Sequence, residues 1–324
     1  MATNTQANQA NSLTELHVIF GTGVLGKNAA RELVRLGKRV RVINRSGKVA
    51  NLPAEVEVVK ADAYDTAQTR TWTEGATAVY QCAQPEYSEW VEKFPPLQAS
   101  ILAAAATNGA KLIVAENLYM YGNTHGKPMT EDMPYAAHTK KGRLRAQLSQ
   151  AVMDAHAKGK VKVAIGRASN FFGPEDGAVS TNIFGAALAG KPINVMGRTD
   201  LPHTLSYAPD FGRALALLGT RDEALGQVWH IPSNEPLTQQ QFVQQVGEAV
   251  GKPLKTQAAG KFMLSIIGLF NSTLREMPEM LYEWEEPFVM DDGKFRRVFG
   301  TSPTPLRQAI QETVDWFRAQ TRVT

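Results

Sequence analysis

The sequence predicts an α/β protein whose first half forms a parallel β-sheet with helices on both faces. Short runs rich in valine, isoleucine and aromatic residues alternate with longer helical runs from about residue 16 to residue 168. The short runs are apolar on both faces, as expected of parallel strands that helices cover on either side. A glycine-rich turn joins the first strand run to the first helical run. Together these features indicate repeated strand–helix–strand units.

The predicted strands and helices alternate along the first half of the chain. The strand runs are LHVIF from Leu16, VRVIN from Val40, VEVVKA from Val56, AVYQCA from Ala78, LIVA from Leu112 and VKVAIGRA from Val161. The helical runs end at Leu36 or extend over about 94–108 and 139–158. This order predicts a Rossmann-type doubly wound parallel sheet over residues 15–172.

The alternation of strand and helix runs ends after residue 172, where glycine and proline residues separate shorter segments. We predict a smaller C-terminal α/β substrate lobe over residues 173–324, with a cleft between the two parts. The run WHIP at Trp229–Pro232 predicts that a late segment returns to the main sheet. Residues 1–14 are polar and predict a flexible tail, and FMLSIIGLF at Phe262–Phe270 predicts a buried helix.

Composition excludes several classes of protein. Lys and Arg number 35 against 31 Asp and Glu, and because the basic residues are scattered, no nucleic-acid surface is predicted. No apolar run approaches the ~20 residues of a membrane span. The single cysteine, Cys82, excludes an internal disulfide and fits a cytoplasmic protein. Six histidines without ligand spacing predict no metal site.

The motif GTGVLG at Gly21–Gly26 predicts a dinucleotide site, because it follows a strand and opens a helix. Gly21 permits the tight turn, Gly23 lets the backbone approach a pyrophosphate, and Gly26 lets the helix pack on the strand. The helix N-terminus offers N–H groups to phosphate. The intervening residues Thr22, Val24 and Leu25 complete the predicted cofactor-binding segment.

The end of the second strand indicates the type of nucleotide. An acid here would bind a ribose 2′-hydroxyl, but the residues are Asn44, Arg45 and Ser46. A guanidinium beside a hydroxyl suits a 2′-phosphate, so we predict NADP(H), with NAD(H) and a merely solvated Arg45 as the alternative. Further predicted cofactor contacts follow the third and fourth strands, at Asp62, Ala63, Cys82, Ala83 and Gln84.

Several segments resemble the short-chain dehydrogenase/reductase superfamily, in particular its extended, NAD-dependent epimerase/dehydratase-like branch. The segments that carry the likeness are GTGVLG, ENLYMYG from Glu116, GRASNFFGP from Gly166, HTLSYAPDFGRAL from His203, and RRVFG and TPLRQAIQETVDWFR near the C-terminus. The resemblance covers nearly the whole chain from Leu16 and implies the Rossmann-type fold with a substrate lobe.

The catalytic positions of this family match poorly. The family uses a Ser or Thr, a Tyr, and a Lys four residues after the Tyr, which lowers the tyrosine pKa and holds the ribose. Alignment on Tyr121 and Gly122 places Asn117 at the Ser/Thr position. The helix register places Thr139 at the tyrosine position and Arg143 at the lysine position, so Arg143 is the predicted ribose contact. This is the pattern of atypical members.

Other residues must then supply a proton. Asn117 is predicted to polarise the substrate oxygen, and Tyr121 or Tyr135 to donate the proton. With a local slip in the alignment, Tyr135 approaches from the loop ahead of the helix, with Lys140 or Lys141 behind it. His138 is a further candidate, although a histidine at a helix start is more often a capping or surface residue.

The resemblance also implies substrate contacts at Arg167, Asn170, His203 and Tyr207. The alternative for Arg167 is a buried ion pair, and for Asn170 a turn residue.

Three functions follow from these features. The leading hypothesis is an NADP(H)-dependent oxidoreductase that transfers hydride between the nicotinamide and a small carbonyl or alcohol. The second is a sugar-nucleotide epimerase or dehydratase, and the third a dinucleotide-binding regulator or redox sensor without turnover. The helices from Phe94 and Thr139 are those that pair in dimers of the family, so a homodimer is possible.

Overall fold

The structure is a computed structural model, and it describes residues 15–177, 179–259 and 277–321. The strands are β1 Leu16–Phe20, β2 Arg39–Asn44, β3 Glu57–Lys60, β4 Ala76–Gln81, β5 Lys111–Glu116, β6 Val163–Arg167, β7 Phe171–Phe172, β8 Ile193–Met196, β9 Ser206–Tyr207, β10 Gln227–His230 and β11 Thr256–Ala259. The α-helices are α1 Val24–Arg35, α2 Thr66–Trp72, α3 Trp90–Thr107, α4 Lys140–Ala157, α5 Ala186–Ala189, α6 Ala208–Thr220, α7 Gln239–Val250, α8 Gly293–Phe299 and α9 Leu306–Thr321.

The chain divides into two compact units whose segments interleave along the sequence. Within the described residues, unit 1 comprises 15–116, 147–167 and 211–229, and unit 2 comprises 117–146, 168–210 and the residues from 230 onward. The sequence predicts one division at residue 172, with late segments that return to the first part. The reason for the interleaving is that the segment after β5 leaves unit 1 and the chain returns to it in the middle of α4.

Unit 1 contains a seven-stranded sheet with the order β10-β6-β5-β4-β1-β2-β3. The pairs from β6 across to β3 are all parallel. Every residue of β1 and of β6 is buried, which is the expected consequence of helices on both faces. The predicted doubly wound sheet is thereby confirmed, and β10 shows that a late segment returns to the sheet, as the WHIP run predicted.

A buried polar pair lies inside unit 1. The Nδ1 atom of His17 in β1 lies 2.8 Å from the hydroxyl oxygen of Tyr80 in β4, and both residues are fully buried. Helix α6 approaches this hydroxyl at Gly219, where a Cβ atom would lie 1.8 Å from it. The absence of a side chain at this position therefore makes room for the phenol.

Unit 2 contains two small parallel sheets, one of β8 and β11 and one of β7 and β9. Its apolar core includes stacked or edge-on rings of Phe172, Phe184 and Phe242. Helix α7 begins at a capping box, in which Thr238 and Gln241 exchange hydrogen bonds between side chain and backbone.

Two predicted segments lie outside the described residues, namely the tail at 1–14 and the helix at 262–270. In the part of the chain that the structure covers, no helix has the length and apolar character that a membrane span requires. The same part contains no group of three or more His, Cys, Asp or Glu side chains placed to hold a metal ion.

Candidate functional site

The turn between β1 and α1 has the geometry that its glycines predict. Gly21 has a φ of +98°, and a Cβ atom here would lie 2.5 Å from the backbone nitrogen of Ala83. A Cβ atom at Gly26 would lie 1.9 Å from the carbonyl oxygen of Gly21. Both positions therefore require glycine, the first for its backbone conformation and its close approach to the β4 loop, the second for packing of α1 on the turn.

Gly23 differs from these two glycines because it faces open space. No heavy atom lies within 4 Å of the Cβ position, although the φ of −70° is one that any residue adopts. Gly23 is the N-cap of α1, no side chain caps the helix, and no acid lies in its first turn. The positive end of the helix dipole is thus open to an anion, so the turn fits the pyrophosphate of a dinucleotide.

The turn after β2 is held by the side chain of Asn44. Its Nδ2 atom donates to the hydroxyl of Thr22 at 2.9 Å, which joins this turn to the glycine turn. Its Oδ1 atom accepts from the backbone of Gly47 at 2.6 Å and from the hydroxyl of Ser46 at 3.1 Å. Arg45 is exposed, and it forms no ion pair or hydrogen bond with any other described residue. The turn is therefore fixed while the guanidinium stays available to a ligand.

The other predicted cofactor residues follow the carboxyl ends of their strands. The Asp62 carboxylate accepts from the Tyr64 backbone at 3.0 Å and is exposed, and Ala63 is half-buried beside it. The backbone of Cys82 donates to Phe20 at 2.9 Å, which brings the β4 loop beside the glycine turn. Ala83 and Gln84 continue that loop, and Gln84 is exposed. Contact of these residues with a dinucleotide stays a prediction.

Asn117 directly follows β5 and is half-buried. Its Oδ1 atom accepts from the backbone N–H of Tyr119 at 3.3 Å, at the start of the 3₁₀ helix Tyr119–Tyr121. Its Nδ2 atom has no hydrogen-bond partner in the described parts of the chain. An amide fixed through its oxygen and open at its nitrogen can donate to a substrate oxygen, but it cannot act as an acid.

Tyr121 is only 1% exposed, and its hydroxyl lies 2.8 Å from Nε2 of His230. The other ring nitrogen of His230 lies 2.9 Å from the carbonyl oxygen of Asp291, which can only accept. In the neutral form of His230 the ring proton is therefore on Nδ1, and Nε2 accepts from the Tyr121 hydroxyl. This placement argues against the predicted role of Tyr121 as a direct proton donor, because its proton is already bound inside the protein.

Thr139 and Arg143, which the alignment places at the family's tyrosine and lysine positions, lie at the start of a helix in the structure. The Thr139 hydroxyl accepts from the Gly142 backbone at 3.0 Å and caps the start of α4. The Arg143 backbone donates to the Thr139 carbonyl at 3.0 Å, so the two lie one turn apart. Arg143 is exposed, and its guanidinium donates to the carbonyl oxygen of His138. The hydroxyl at the tyrosine position is thus engaged in capping.

Tyr135 lies on the loop ahead of α4, as expected, and is half-buried. Its ring packs edge-on against Tyr121 at a centroid distance of 6.2 Å. The lysines behind it differ, since Lys140 is exposed and Lys141 is 2% exposed with its Nζ atom 3.6 Å from the Glu279 carboxylate. Tyr135 remains the tyrosine that is predicted to donate a proton.

Two predicted substrate residues are buried within their own units. Arg167 in unit 1 is fully buried, with Nε 2.9 Å from the Glu116 carboxylate and a further bond to the Ser149 hydroxyl. Tyr207 in unit 2 lies in the apolar core and donates to the Glu312 carboxylate at 2.6 Å. Each side chain is packed and paired inside the protein, and substrate contact stays a prediction for both. For Arg167 the buried ion pair was the stated alternative.

Asn170 and His203 are brought together in unit 2 by a residue that sequence reasoning missed, Glu283. The Asn170 amide nitrogen lies 3.1 Å from His203 Nε2 and 2.9 Å from the Glu283 carboxylate. The His203 ring stacks on Trp284 at 4.0 Å and on Phe288 at 5.0 Å. Glu283 is one of several acids in the sequence LYEWEEP, so nothing local distinguishes it from its neighbours.

These features define a Rossmann-type protein whose glycine turn fits the pyrophosphate of a dinucleotide. The model of the NAD dependent epimerase/dehydratase family matches residues 18–231 of the chain. The chain belongs to this family, which is a family of NAD-dependent enzymes. The resemblance stated from the sequence motifs is thereby confirmed.

Individual relatives are distant. The chain is 24% identical to a 2'-dehydrokanamycin reductase of Streptomyces kanamyceticus over 241 residues, which are 73% of this chain and 66% of that protein. The chain thus spans just under two thirds of the length of this curated relative.

Solved structures share the fold. An epimerase of Methanothermobacter thermautotrophicus has a TM-score of 0.80 at 17% identity, over 98% of this chain and 96% of the other. The dTDP-glucose 4,6-dehydratase of Streptomyces venezuelae, solved with NAD bound, has a TM-score of 0.77 at 16% identity, over 95% and 98% of the two chains.

Proposed function

We propose that the protein is an NADP(H)-dependent oxidoreductase that interconverts a small organic carbonyl compound and its alcohol. The observation that carries the proposal is Asn117, whose amide nitrogen has no hydrogen-bond partner among the described residues while its oxygen accepts from the backbone. A carbonyl oxygen that gains negative charge during reduction needs such a donor. The reductase name of the curated relative supports the same class of reaction.

In the proposed reaction, different residues of the chain bind the cofactor, stabilise the substrate oxygen and supply the proton. The glycine turn would hold the pyrophosphate, and the bound nicotinamide would supply or accept the hydride. Asn117 donates a hydrogen bond to the substrate oxygen and stabilises its developing charge. The proton that completes the alcohol comes from Tyr135 or from an ordered water, because the Tyr121 proton is bound by His230.

The preference for NADP(H) over NAD(H) belongs to this proposal. Its support is the turn after β2, which has no acid at its start and presents an exposed, unpaired Arg45 within the described residues. Because the turn is fixed by Asn44 through Thr22 and Gly47, a 2′-phosphate would meet a preorganised site.

We expect Arg45→Ala to weaken NADPH binding roughly tenfold to a hundredfold and to leave NADH binding unchanged, since a charge-assisted bond to phosphate is worth ~1.5–3 kcal/mol. Fluorescence titration of each reduced dinucleotide measures both affinities. Arg39→Ala is the matched control, because Arg39 is also exposed and lies at the opposite end of β2. Equal affinity of the wild-type protein for both dinucleotides would contradict the NADP(H) preference.

Asn117→Ala is expected to lower kcat for carbonyl reduction ~100-fold with NADPH affinity retained, because it removes a donor to the reacting oxygen. The measurement is loss of NADPH absorbance at 340 nm with a panel of aldehydes and ketones. Exposed Asn194→Ala serves as the control. In the same assay Tyr121→Phe is expected to keep turnover and Tyr135→Phe to lower it. Full activity of Asn117→Ala would remove the amide from the mechanism.

The family supports a second candidate, a sugar-nucleotide epimerase or dehydratase. Such reactions begin with oxidation of an alcohol, which requires a base, whereas the aligned positions hold a capping Thr139 and an exposed Arg143. Conversion of a sugar nucleotide without net change at 340 nm would favour this candidate. Dinucleotide binding without conversion of any substrate would favour the non-catalytic regulator instead.

A further inference from the structure

Lys60 is the last residue of β3 and lies beside the turn after β2. It is paired in register with Asn44, the last residue of β2, and the backbone of Ala61 donates to the Asn44 carbonyl oxygen at 3.0 Å. Residues that are opposite each other in a parallel pair point to the same face of the sheet. Lys60 therefore lies at the same edge and on the same face as the side chain that holds the turn.

The turn makes room for Lys60 at Gly47. Gly47 has a φ of +68°, and a Cβ atom at this position would lie 2.8 Å from the Cβ atom of Lys60. The start of the Lys60 side chain thus lies against the Cα atom of Gly47, in space that any other residue would fill. Lys60 is exposed, and its ammonium group forms no ion pair or hydrogen bond with any other described residue.

Arg45 and Lys60 place two unpaired cations at the ends of neighbouring strands. Arg45 directly follows β2 and, like Lys60, is exposed without a partner in the described chain. Burial raises the pKa of the Tyr64 phenol, and the positive charges of Lys93 and Arg45 oppose this rise, so Arg45 lies near the turn after β3. The Asp62 carboxylate in that turn accepts from the Tyr64 backbone at 3.0 Å and forms an ion pair with neither cation.

The position of these cations relative to the glycine turn indicates which anion they would bind. The Asn44 side chain donates to the Thr22 hydroxyl at 2.9 Å, which joins the turn after β2 to the glycine turn. In Rossmann-type proteins the pyrophosphate lies at the glycine turn, and the ribose of the adenosine lies at the end of the second strand. A phosphate on the 2′ oxygen of this ribose would therefore lie at the edge of the sheet that carries both cations.

We propose that Lys60 is the second cation of the NADP(H) site and that it determines, together with Arg45, the preference for a 2′-phosphate. A phosphate monoester carries a charge of about −1.5 to −2 near pH 7, so the single charge of Arg45 leaves part of it unbalanced. The guanidinium can bind two phosphate oxygens at once, and the ammonium adds a compact charge that requires no particular direction. This inference rests on the proposed function, because it assigns a further residue to the cofactor site named there.

The test is a titration of the full-length protein with NADPH and with NADH, followed by fluorescence. We expect Lys60→Gln to weaken NADPH binding roughly tenfold, which corresponds to ~1.4 kcal/mol, and to leave NADH binding unchanged. Lys60→Arg keeps the charge and is expected to stay within about threefold of the wild-type affinity for NADPH. Lys162→Gln is the matched control, because Lys162 is also exposed and precedes β6 at the opposite edge of the sheet.

The role of charge is tested by repeating the titration at several salt concentrations and with adenosine 2′,5′-bisphosphate, which has no nicotinamide. We expect binding of this probe by Lys60→Gln to be roughly tenfold weaker and to depend less steeply on salt than binding by the wild-type protein. An unchanged affinity for NADPH, or an equal loss for NADPH and NADH, would overturn the inference. Selective loss of NADPH binding in a protein that reduces no carbonyl compound would support the inference and refute the proposed reaction alone.

Discussion

Glu283 shows how burial alone can decide the charge of a residue. Desolvation raises the pKa of this carboxyl group to about 8, and the hydrogen bond from Asn170 offsets only part of that effect. The same desolvation lowers the pKa of His203 to about 3 and that of His17 to about 4. At neutral pH, therefore, the acid holds its proton and both histidines are without charge.

These shifts give opposite dependences of stability on pH. Between pH 4.5 and 8 the folded state keeps a proton on Glu283 that the unfolded chain releases, so stability falls as pH rises through this window. The histidines bind fewer protons in the folded state below their ordinary pKa of 6.5, so their effect is to raise stability with pH up to that value. Above pH 6.5 only the loss from Glu283 remains.

We expect the wild-type protein to lose about 2 kcal/mol of unfolding free energy between pH 6.5 and 8 through this group, at 1.36 kcal/mol per pH unit. Glu283→Gln, which is neutral at every pH, is expected to lack this loss. Urea denaturation at the two pH values measures the difference. Exposed Glu285→Gln is the control and is expected to behave like the wild-type protein. An identical pH dependence of Glu283→Gln and wild type would show that Glu283 is ionised when folded.

At the scale of a single element, the turn from β1 into α1 contains two glycines that folding requires and one that only the proposed dinucleotide site requires. Gly21 and Gly26 meet backbone atoms at distances that no Cβ atom can occupy, whereas Gly23 meets nothing. The motif alone assigns a role to each glycine, but only the structure shows which of them a side chain could replace.

We expect Gly23→Val to fold with an unchanged melting temperature and to bind NADPH at least ~10-fold more weakly, because the new side chain occupies the space left for pyrophosphate. Gly26→Ala is expected to destabilise the protein by roughly 1–3 kcal/mol, as overpacking does. Thermal unfolding and NADPH titration of both variants separate the two effects. Tight NADPH binding by Gly23→Val would rule out the turn as the phosphate site.

The region after β5 shows which contacts a sequence alignment can predict and which it cannot. The helical spacing of Thr139 and Arg143 could be read from the sequence, since one turn separates positions four apart. The hydrogen bond of Tyr121 could not be read from the sequence, because its partner His230 is 109 positions away along the chain. Tyr121 thus has a partner that only tertiary packing brings close to it.

At the scale of the whole molecule, the sheet was predictable because strand runs and glycine turns are local signals. All six strand runs and the return of the chain at WHIP correspond directly to strands of unit 1. The cluster of Asn170, His203 and Glu283 was not predictable as a whole, since Glu283 lies 113 positions from Asn170. The WHIP run indicated one return of the chain, but the departure of residues 117–146 from unit 1 could not be read from the sequence, because a change of composition marks one boundary only.

The proposed cofactor should also stabilise the folded chain by mass action. At a concentration 100 times its Kd, NADP is expected to add ~2.7 kcal/mol, which corresponds to a melting temperature raised by roughly 5–10 °C. The same concentration of NAD is expected to give a smaller shift. Differential scanning fluorimetry measures both, with Gly23→Val as the variant that should respond to neither. A larger shift with NAD would contradict the NADP(H) preference.

The lone thiol has a practical consequence for spectroscopy. Cys82 is the sole cysteine of the chain, and burial raises the pKa of its thiol to about 12. Only about one molecule in 10⁵ then carries the thiolate at pH 7, which is the form that reacts with maleimides. A cysteine introduced at an exposed position such as Asn194 would therefore take up a single fluorophore selectively, with the native residue left in place.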